Sequence, residues 1–217
     1  MLGAKTIEGF RSVSFEVEQG QILGLQGRSG AGKSSVLKCI YRTYLTDSGS
    51  IHYQSETLGT LDLTKASDQQ IIQLRRDEIG YMTQFLRVIP RVSAIDIVSE
   101  PLVTKGCPVE EARKQACQLL ERLHIPGSLF DASPATFSGG EQQRVNFAAG
   151  IIARPRLLLL DEPTASLDPK SMTAVIELLL ELKSYGTTMI SIFHDKKTMN
   201  QIADKVYTLH TVKKKTA

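Results

Sequence analysis

The sequence predicts an α/β fold: a parallel-sheet core built around a phosphate loop, an antiparallel β lobe near the N-terminus, and a helical segment inserted ahead of the last strands. Three observations carry this. Residues 27–34 read GRSGAGKS, a G-x-x-x-x-G-K-S loop set between a strand pattern and a helix pattern. Residues 156–163 read RLLLLDEP, and four consecutive leucines suit a strand buried on both faces of a parallel sheet. Beyond that run, strand and helix patterns alternate along the chain, the β-α-β rhythm of a layered sheet.

Taken in order, SVSFEVEQGQILGLQG alternates apolar and polar residues, breaks at Gln19-Gly20 and alternates again. That predicts two strands, the second running into the glycine-rich loop. A helix is expected over 33–44. Residues 47–63 are rich in turn formers, and the short runs GSIHYQ and LGTLDL predict an antiparallel hairpin. A short helix is expected over 67–76, then a buried strand at EIGYMTQF. Pro108, Glu110 and Glu111 mark a helix start: proline fits the first turn, and carboxylates favour the positive end of the helix dipole. Ala112, Ala116, Leu119, Leu120 and Leu123 then share one apolar face. Another helix should follow Gly140. The closing series is strand RLLLLDEP, helix 169–184, strand TTMISIF, helix 196–203 and strand KVYTLH. The chain therefore reads as a single domain over 1–217, with a core from 1–84 and 155–217 and a helical insert at 85–154.

Composition narrows the class. A chain of 217 residues, 41% hydrophobic and 23% charged, suits one domain with a sizeable core. The net charge of +3 is spread along the sequence. The one basic run, Lys213-Lys214-Lys215, fits a solvated terminus better than a nucleic-acid surface. Cys39, Cys107 and Cys117 make an odd count without C-x-x-C spacing, which argues against a disulfide framework and zinc and fits a reducing cytosol. No apolar run approaches the ~18 residues a membrane span needs. MLGAKTIEGFR lacks the apolar stretch of a secretory signal. A cytoplasmic location is expected; if the protein serves a membrane, another chain must span it.

The chemistry-bearing residues cluster in a few motifs. Gly27, Arg28, Ser29, Gly30, Ala31, Gly32, Lys33, Ser34 and Ser35 are the expected nucleotide contacts. Backbone N–H groups of such a loop converge on phosphates at the N-terminus of the following helix. Lys33 is placed to reach the β- and γ-phosphates, and the Ser34 hydroxyl to coordinate Mg²⁺. A surface glycine-rich turn is the bland alternative, and the flanking strand and helix patterns count against it. Asp161 ends the leucine strand and should hold Mg²⁺, with Glu162 placed to orient or deprotonate the attacking water. Alone, such an acidic pair would suit a helix cap equally well. His194 closes the strand TTMISIF at the edge where open α/β sheets place ligands, which points to a γ-phosphate contact. Gln84 follows its own strand in the same manner; it could bind Mg²⁺ or water, or be a polar loop residue. Residues 136–146, TFSGGEQQRVN, offer a serine hydroxyl, two glycines and a helix start without a lysine: half of an anion site.

The order of these pieces closely resembles the ABC-type ATPases over nearly the whole chain. Residues 27–34 match the Walker A motif and Gln84 the Q-loop. Ser138-Gly139-Gly140-Glu141-Gln142 match the signature, 157–162 the Walker B strand with its glutamate, Ser166-Leu167-Asp168 the D-loop, and His194 the switch histidine. Glu141 departs from the commonest signature, which has Gln there; the Glu form is frequent in the superfamily. The resemblance implies a P-loop (RecA-like) core, ATP and Mg²⁺ as cofactors, and catalytic roles for Glu162 and His194. It implies Ser34, Gln84 and Asp161 at the metal. It also implies a head-to-tail pair with a second ABC-type chain, in which Ser138, Gly139, Gly140 and Glu141 close over the partner's ATP. The nucleotide then switches the pair between closed and open states.

Finer features look like the L component of the bacterial carbon–phosphorus lyase system: QFLRVIPRVSA, TFSGGEQQRVN, LLLLDEPTASLD and SIFHD. Phe193 stands where transporter ATPases usually carry Thr, and Asn146 where they usually carry Ala. That resemblance implies partnership with the K component and other C–P lyase subunits. It implies a part in forming a ribose 1-phosphonate 5-triphosphate from ATP and a phosphonate. The alternative is the ATPase subunit of an ABC transporter. In FLRVIPRVSAIDIVSEP, Val92, Ile95 and Val98 are expected inward and Phe85, Arg87 and Arg91 toward a partner. In the superfamily an adenine-stacking aromatic precedes the first hairpin on an extra strand. This chain begins too late for that strand, and Phe10 is the nearest candidate for a stack worth ~1–3 kcal/mol.

Overall fold

The computed structural model describes residues 9–83 and 90–210. Its elements run β1 (Ile22–Gln26), α1 (Lys33–Ile40), β2 (His52–Ser55), β3 (Gly59–Asp62), α2 (Asp68–Asp77), β4 (Ile79–Met82), α3 (Ala94–Thr104) and α4 (Val109–Arg122). They continue with α5 (Gly139–Ile151), β5 (Leu157–Asp161), α6 (Pro169–Ser184), β6 (Thr188–Ile192), α7 (Lys196–Ile202) and β7 (Lys205–Thr208). Five parallel strands form the central sheet in the order β4-β5-β6-β1-β7, and β2 and β3 form a separate antiparallel pair. This is the parallel-sheet P-loop fold with a small antiparallel sheet that the sequence predicts.

The leucine run explains itself in three dimensions. β5 lies between β4 and β6, and side chains alternate across a strand. Leu157 and Leu159 enter the apolar layer shared with Leu23, Leu25, Val36 and Leu37. Leu158 and Leu160 enter the opposite layer, with Val145, Phe147, Val175 and Leu179. All four are buried because helices cover both faces.

Local signals set most helix ends. Ser67 caps α2 in a reciprocal box with Gln70, and Asp168 caps α6 by accepting the Ser171 N–H at 3.0 Å. Pro108 stands at the cap of α4, whose Ala112, Ala116, Leu120 and Leu123 are buried. α3 and α4 are joined by Arg113, which pairs with Asp96 and, at 3.2 Å, with Asp131. Of the segment expected to face both ways, Ile95 and Val98 are buried, Val92 is half-buried and Arg91 is exposed. Phe85 and Arg87 lie outside the described residues, as does the Lys213-Lys214-Lys215 run.

Two expectations fail. Residues 13–18 form no ladder among the described residues, although Val13, Phe15 and Val17 keep their alternation and pack half-buried on the core. Alternation records which face is buried; a strand also needs a neighbour at ladder distance, and among the described residues this segment has none. The segment is held by side chains: Tyr207 Oη accepts the Ser14 N–H at 3.3 Å, and Phe15 packs on the Tyr207 ring at 5.3 Å. Helix α1 stops at Ile40 rather than running to 44. Arg42 turns the chain at φ 63° and donates to the Ala66 carbonyl at 3.2 Å, a tertiary bond that local propensity does not reveal.

Candidate functional site

Parallel strands put all their C-terminal ends on one edge, so the loops that follow neighbouring strands meet there. β6 lies between β5 and β1, with Ile192 opposite both Asp161 and Leu25. The phosphate loop after β1, the Asp161-Glu162 turn after β5 and His194 after β6 therefore share one rim.

Two glycines of the phosphate loop, Gly27 and Gly32, stand where a Cβ would clash with neighbouring backbone. Gly32 has φ 94° and caps α1 without a side-chain bond, and a Cβ there would collide with the backbone of Gly9. A Cβ on Gly27 would meet the Leu209 carbonyl oxygen at 2.6 Å. The first-turn N–H groups of α1 thus lack a side-chain cap and face an anion site. Lys33 Nζ curls back to donate to the carbonyls of Gly27 at 2.8 Å and Arg28 at 3.2 Å. Arg28, Ser29 and Gly30 are exposed; Ala31 is buried. Ser35 is half-buried in the first turn of α1.

Ser34 Oγ donates to Asp161 Oδ1 at 3.1 Å, which joins the start of α1 to the end of β5. Burial pushes the Asp161 carboxyl above its ordinary pKa. The Ser34 bond and the charges of Lys38 and Lys33 pull it down, and Glu162 adds to the rise. A hydroxyl and a buried carboxylate are hard oxygen donors that suit Mg²⁺, and a divalent charge would offset the desolvation of Asp161. Glu162 is half-buried at φ 56°. Its N–H donates to the Ile192 carbonyl at 3.0 Å, and its own carbonyl accepts from Gln143 Nε2 at 3.0 Å. His194 is exposed at the same rim. Gln84 lies outside the described residues, and Thr83 stands directly before it.

The second anion pattern sits at the head of α5. Ser138 is its N-cap, exposed, with Gly139 exposed and Gly140 half-buried behind it. The Glu141 carboxylate closes the capping box, accepting the Ser138 N–H at 2.8 Å and its hydroxyl at 2.7 Å. A Cβ on Gly140 would lie 3.3 Å from the Ser166 carbonyl, so the signature and the D-loop are neighbours within the chain. Arg144 bonds Ser171 Oγ and lies 3.8 Å from Asp168 Oδ2. Sequence inspection passed over Gln143 and Arg144. The available signal was two large polar side chains set among the buried residues of a helix.

Phe10 does not stand free for a base. It is half-buried against the core and lines a cavity of about 820 Å³ under the antiparallel pair. That cavity also touches Val13, Phe15, His52, Arg156 and Leu157 at the start of β5, and none of the phosphate-loop, signature or rim residues.

Residues 10–165 match the protein family described as ABC transporter. The lipoprotein-releasing system ATP-binding protein LolD of Legionella pneumophila is 33% identical over 209 residues, covering 96% of this chain and 89% of that one. The methionine import ATP-binding protein MetN of Rhizobium johnstonii is 36% identical over 202 residues, covering 93% of this chain and 54% of that one. The dimeric structure of a post-hydrolysis state of the ATP-binding cassette MJ0796, bound to ADP and Pi, superimposes with a TM-score of 0.84 at 27% identity, covering 96% of this chain and 89% of that one. Among the described residues no helix is long and apolar enough to cross a membrane.

Proposed function

The chain belongs to the ABC transporter family of ATP-binding proteins, and on that premise we propose that it is the ATP-hydrolysing subunit of a transport assembly, working as one half of a head-to-tail pair. The observation that carries this is the shared rim of Lys33, Ser34, Asp161 and Glu162, set apart from a lysine-free anion grip at the head of α5. The two relatives are ATP-binding proteins of a lipoprotein-releasing system and of methionine import, which supports transport over other uses of ATP. The dimeric form of the ATP-binding cassette MJ0796 supports the pair.

The roles follow from position. Residues Gly27 to Ser35 wrap the phosphates, and Lys33 exchanges its carbonyl partners for phosphate oxygens. Ser34 and Asp161 would hold Mg²⁺, with Gln84 assigned beside them on resemblance alone, and the chemistry supplied there would be neutralisation of phosphate charge. Glu162 orients the attacking water and accepts its proton, and His194 contacts the γ-phosphate. Ser138, Gly139 and Gly140 supply donors to the partner's nucleotide, with Glu141 behind them and Asp168 along the seam.

A second reading is the L component of the C–P lyase system, with a phosphonate as co-substrate and the K component as partner. It rests on the sequence resemblance at Asn146 and Phe193. Asn146 Nδ2 donates to the Thr83 carbonyl at 2.7 Å and Phe193 is buried in the core, which is compatible with either reading. The experiment is a pull-down of tagged Glu162→Gln protein from its own cells with Mg-ATP, followed by mass spectrometry. A membrane-spanning partner in the eluate supports the transport motor. Phosphonate-pathway subunits in its place would transfer the chain to the second reading.

A further inference from the structure

One stretch of α5 touches three separate loops of the hydrolytic rim. Gln143 Nε2 donates to the Glu162 carbonyl at 3.0 Å. Arg144 bonds Ser171 and lies beside Asp168, at the start of α6. Asn146 holds the Thr83 carbonyl at the end of β4. The head of the same helix is the Ser138-Gly139-Gly140 grip. A helix is a rigid element, so a displacement at its head is felt two turns along.

Gln143 is the informative member. It is only 5% exposed, although it is a long polar side chain that would ordinarily sit in water. Its partner residue, Glu162, has φ 56°, a left-handed conformation that a non-glycine residue keeps only where its surroundings over-determine it. The Ile192 carbonyl fixes the N–H side of Glu162, and Gln143 and the Ala165 N–H, at 3.2 Å, fix its carbonyl side. Of these three bonds on the Glu162 backbone, one comes from α5.

We propose that α5 links, inside one chain, the phosphate it grips for a partner to that chain's own water-activating glutamate, and that Gln143 is the positioning residue that carries the link. This rests on the assignment of Glu162 and of the in-trans grip given above. Seating of the partner's phosphate at Ser138 draws α5 toward the seam, and Gln143 turns the Glu162 backbone into its working position. Each half of the pair then becomes active only when the other half is loaded, which makes hydrolysis cooperative in ATP.

The test uses the full chain with Gln143→Met, which keeps length and volume and removes the donor. Four quantities are read: melting temperature, ATP-dependent pairing in a Glu162→Gln background, KM for ATP and kcat. Pairing and KM should stay within about twofold while kcat falls about 10²-fold, the penalty typical of a reacting group misplaced by an ångström, and the Hill coefficient for ATP should drop to one. A role in the scaffold alone would lower melting temperature and pairing together with kcat, and that pattern overturns the proposal. So does a kcat within twofold of the unsubstituted protein. Gln143→Glu, which sets an acceptor against the carbonyl at the same length, gives the same readout should the Met variant not fold. Hydrolysis at full rate by Glu162→Gln would instead overturn the assignment on which the link rests.

Discussion

Glu141 makes the signature grip of this chain self-occupied, and replacing it has a calculable effect. The carboxylate accepts both the N–H and the hydroxyl of Ser138, the donors the proposed grip offers to a phosphate. These bonds, the hydroxyl's first, hold the Glu141 carboxyl below its ordinary pKa of 4.5, so it is ionised at neutral pH. An incoming phosphate must displace one anion and then sit beside it. Hydrogen bonds to charged groups are worth ~1.5–3 kcal/mol against ~0.5–1.5 for neutral ones. Glu141→Gln keeps an acceptor for the cap while making the exchange easier by about 1 kcal/mol per bond. At a separation of about 6 Å and an effective dielectric of about 40, it also removes roughly 1.4 kcal/mol of repulsion. Glu141 is half-buried at the surface, so solvent screening cuts this sum; about 1 kcal/mol is the expected net gain, or roughly fivefold tighter pairing. Sedimentation velocity in the Glu162→Gln background, with ATP at low and high salt, measures it. Pairing that is unchanged or weaker at low salt, or a gain that ignores salt, would refute the reasoning.

Other outcomes follow from the same geometry. Lys33→Ala should weaken ATP binding by about 10²–10³-fold, because two charge-assisted bonds to phosphate are lost and only two to carbonyls are spared. Titration calorimetry showing unchanged affinity would remove the phosphate-loop assignment. Glu78 is 4% exposed and accepts from Ser55 Oγ at 2.6 Å and Tyr53 Oη at 2.9 Å, tying the β2–β3 pair to β4. Burial pushes its carboxyl pKa up, but those bonds and the N–H groups of Glu56 and Thr57 outweigh burial and leave it below 4.5. A lowered folded pKa gives stability that is complete above 4.5 and is lost as pH falls through the folded value. Glu78→Gln should therefore cost about 2–3 kcal/mol at neutral pH and flatten the acid limb of the stability profile, as urea unfolding at neutral pH and about pH 4 would show. A variant with the acid limb intact would assign acid sensitivity elsewhere.

Features with a local cause can be read along the chain. The phosphate loop is a contiguous run of eight residues, and Gly30 and Gly32 in it take the positive φ that the turn requires. The strand Leu157–Asp161 shows its two buried faces through its composition, and the start of α6 at Pro169 follows from the Asp168 cap and the proline behind it. Tertiary structure decided everything that depends on which segments become neighbours. The order β4-β5-β6-β1-β7 sets Lys33, Asp161 and His194 on one rim, and no pattern within any single strand encodes that order. The alternation at Val13, Phe15 and Val17 found a buried face but no ladder among the described residues, because a ladder needs a strand edge within hydrogen-bond reach and not only an apolar face. The polar residues of α5 had no legible purpose until the carbonyls of Glu162 and Thr83 stood within hydrogen-bond reach. Periodicity and capping act over a few residues and can be read along the chain; the pairing of buried polar groups is settled only through space, once the sheet has closed.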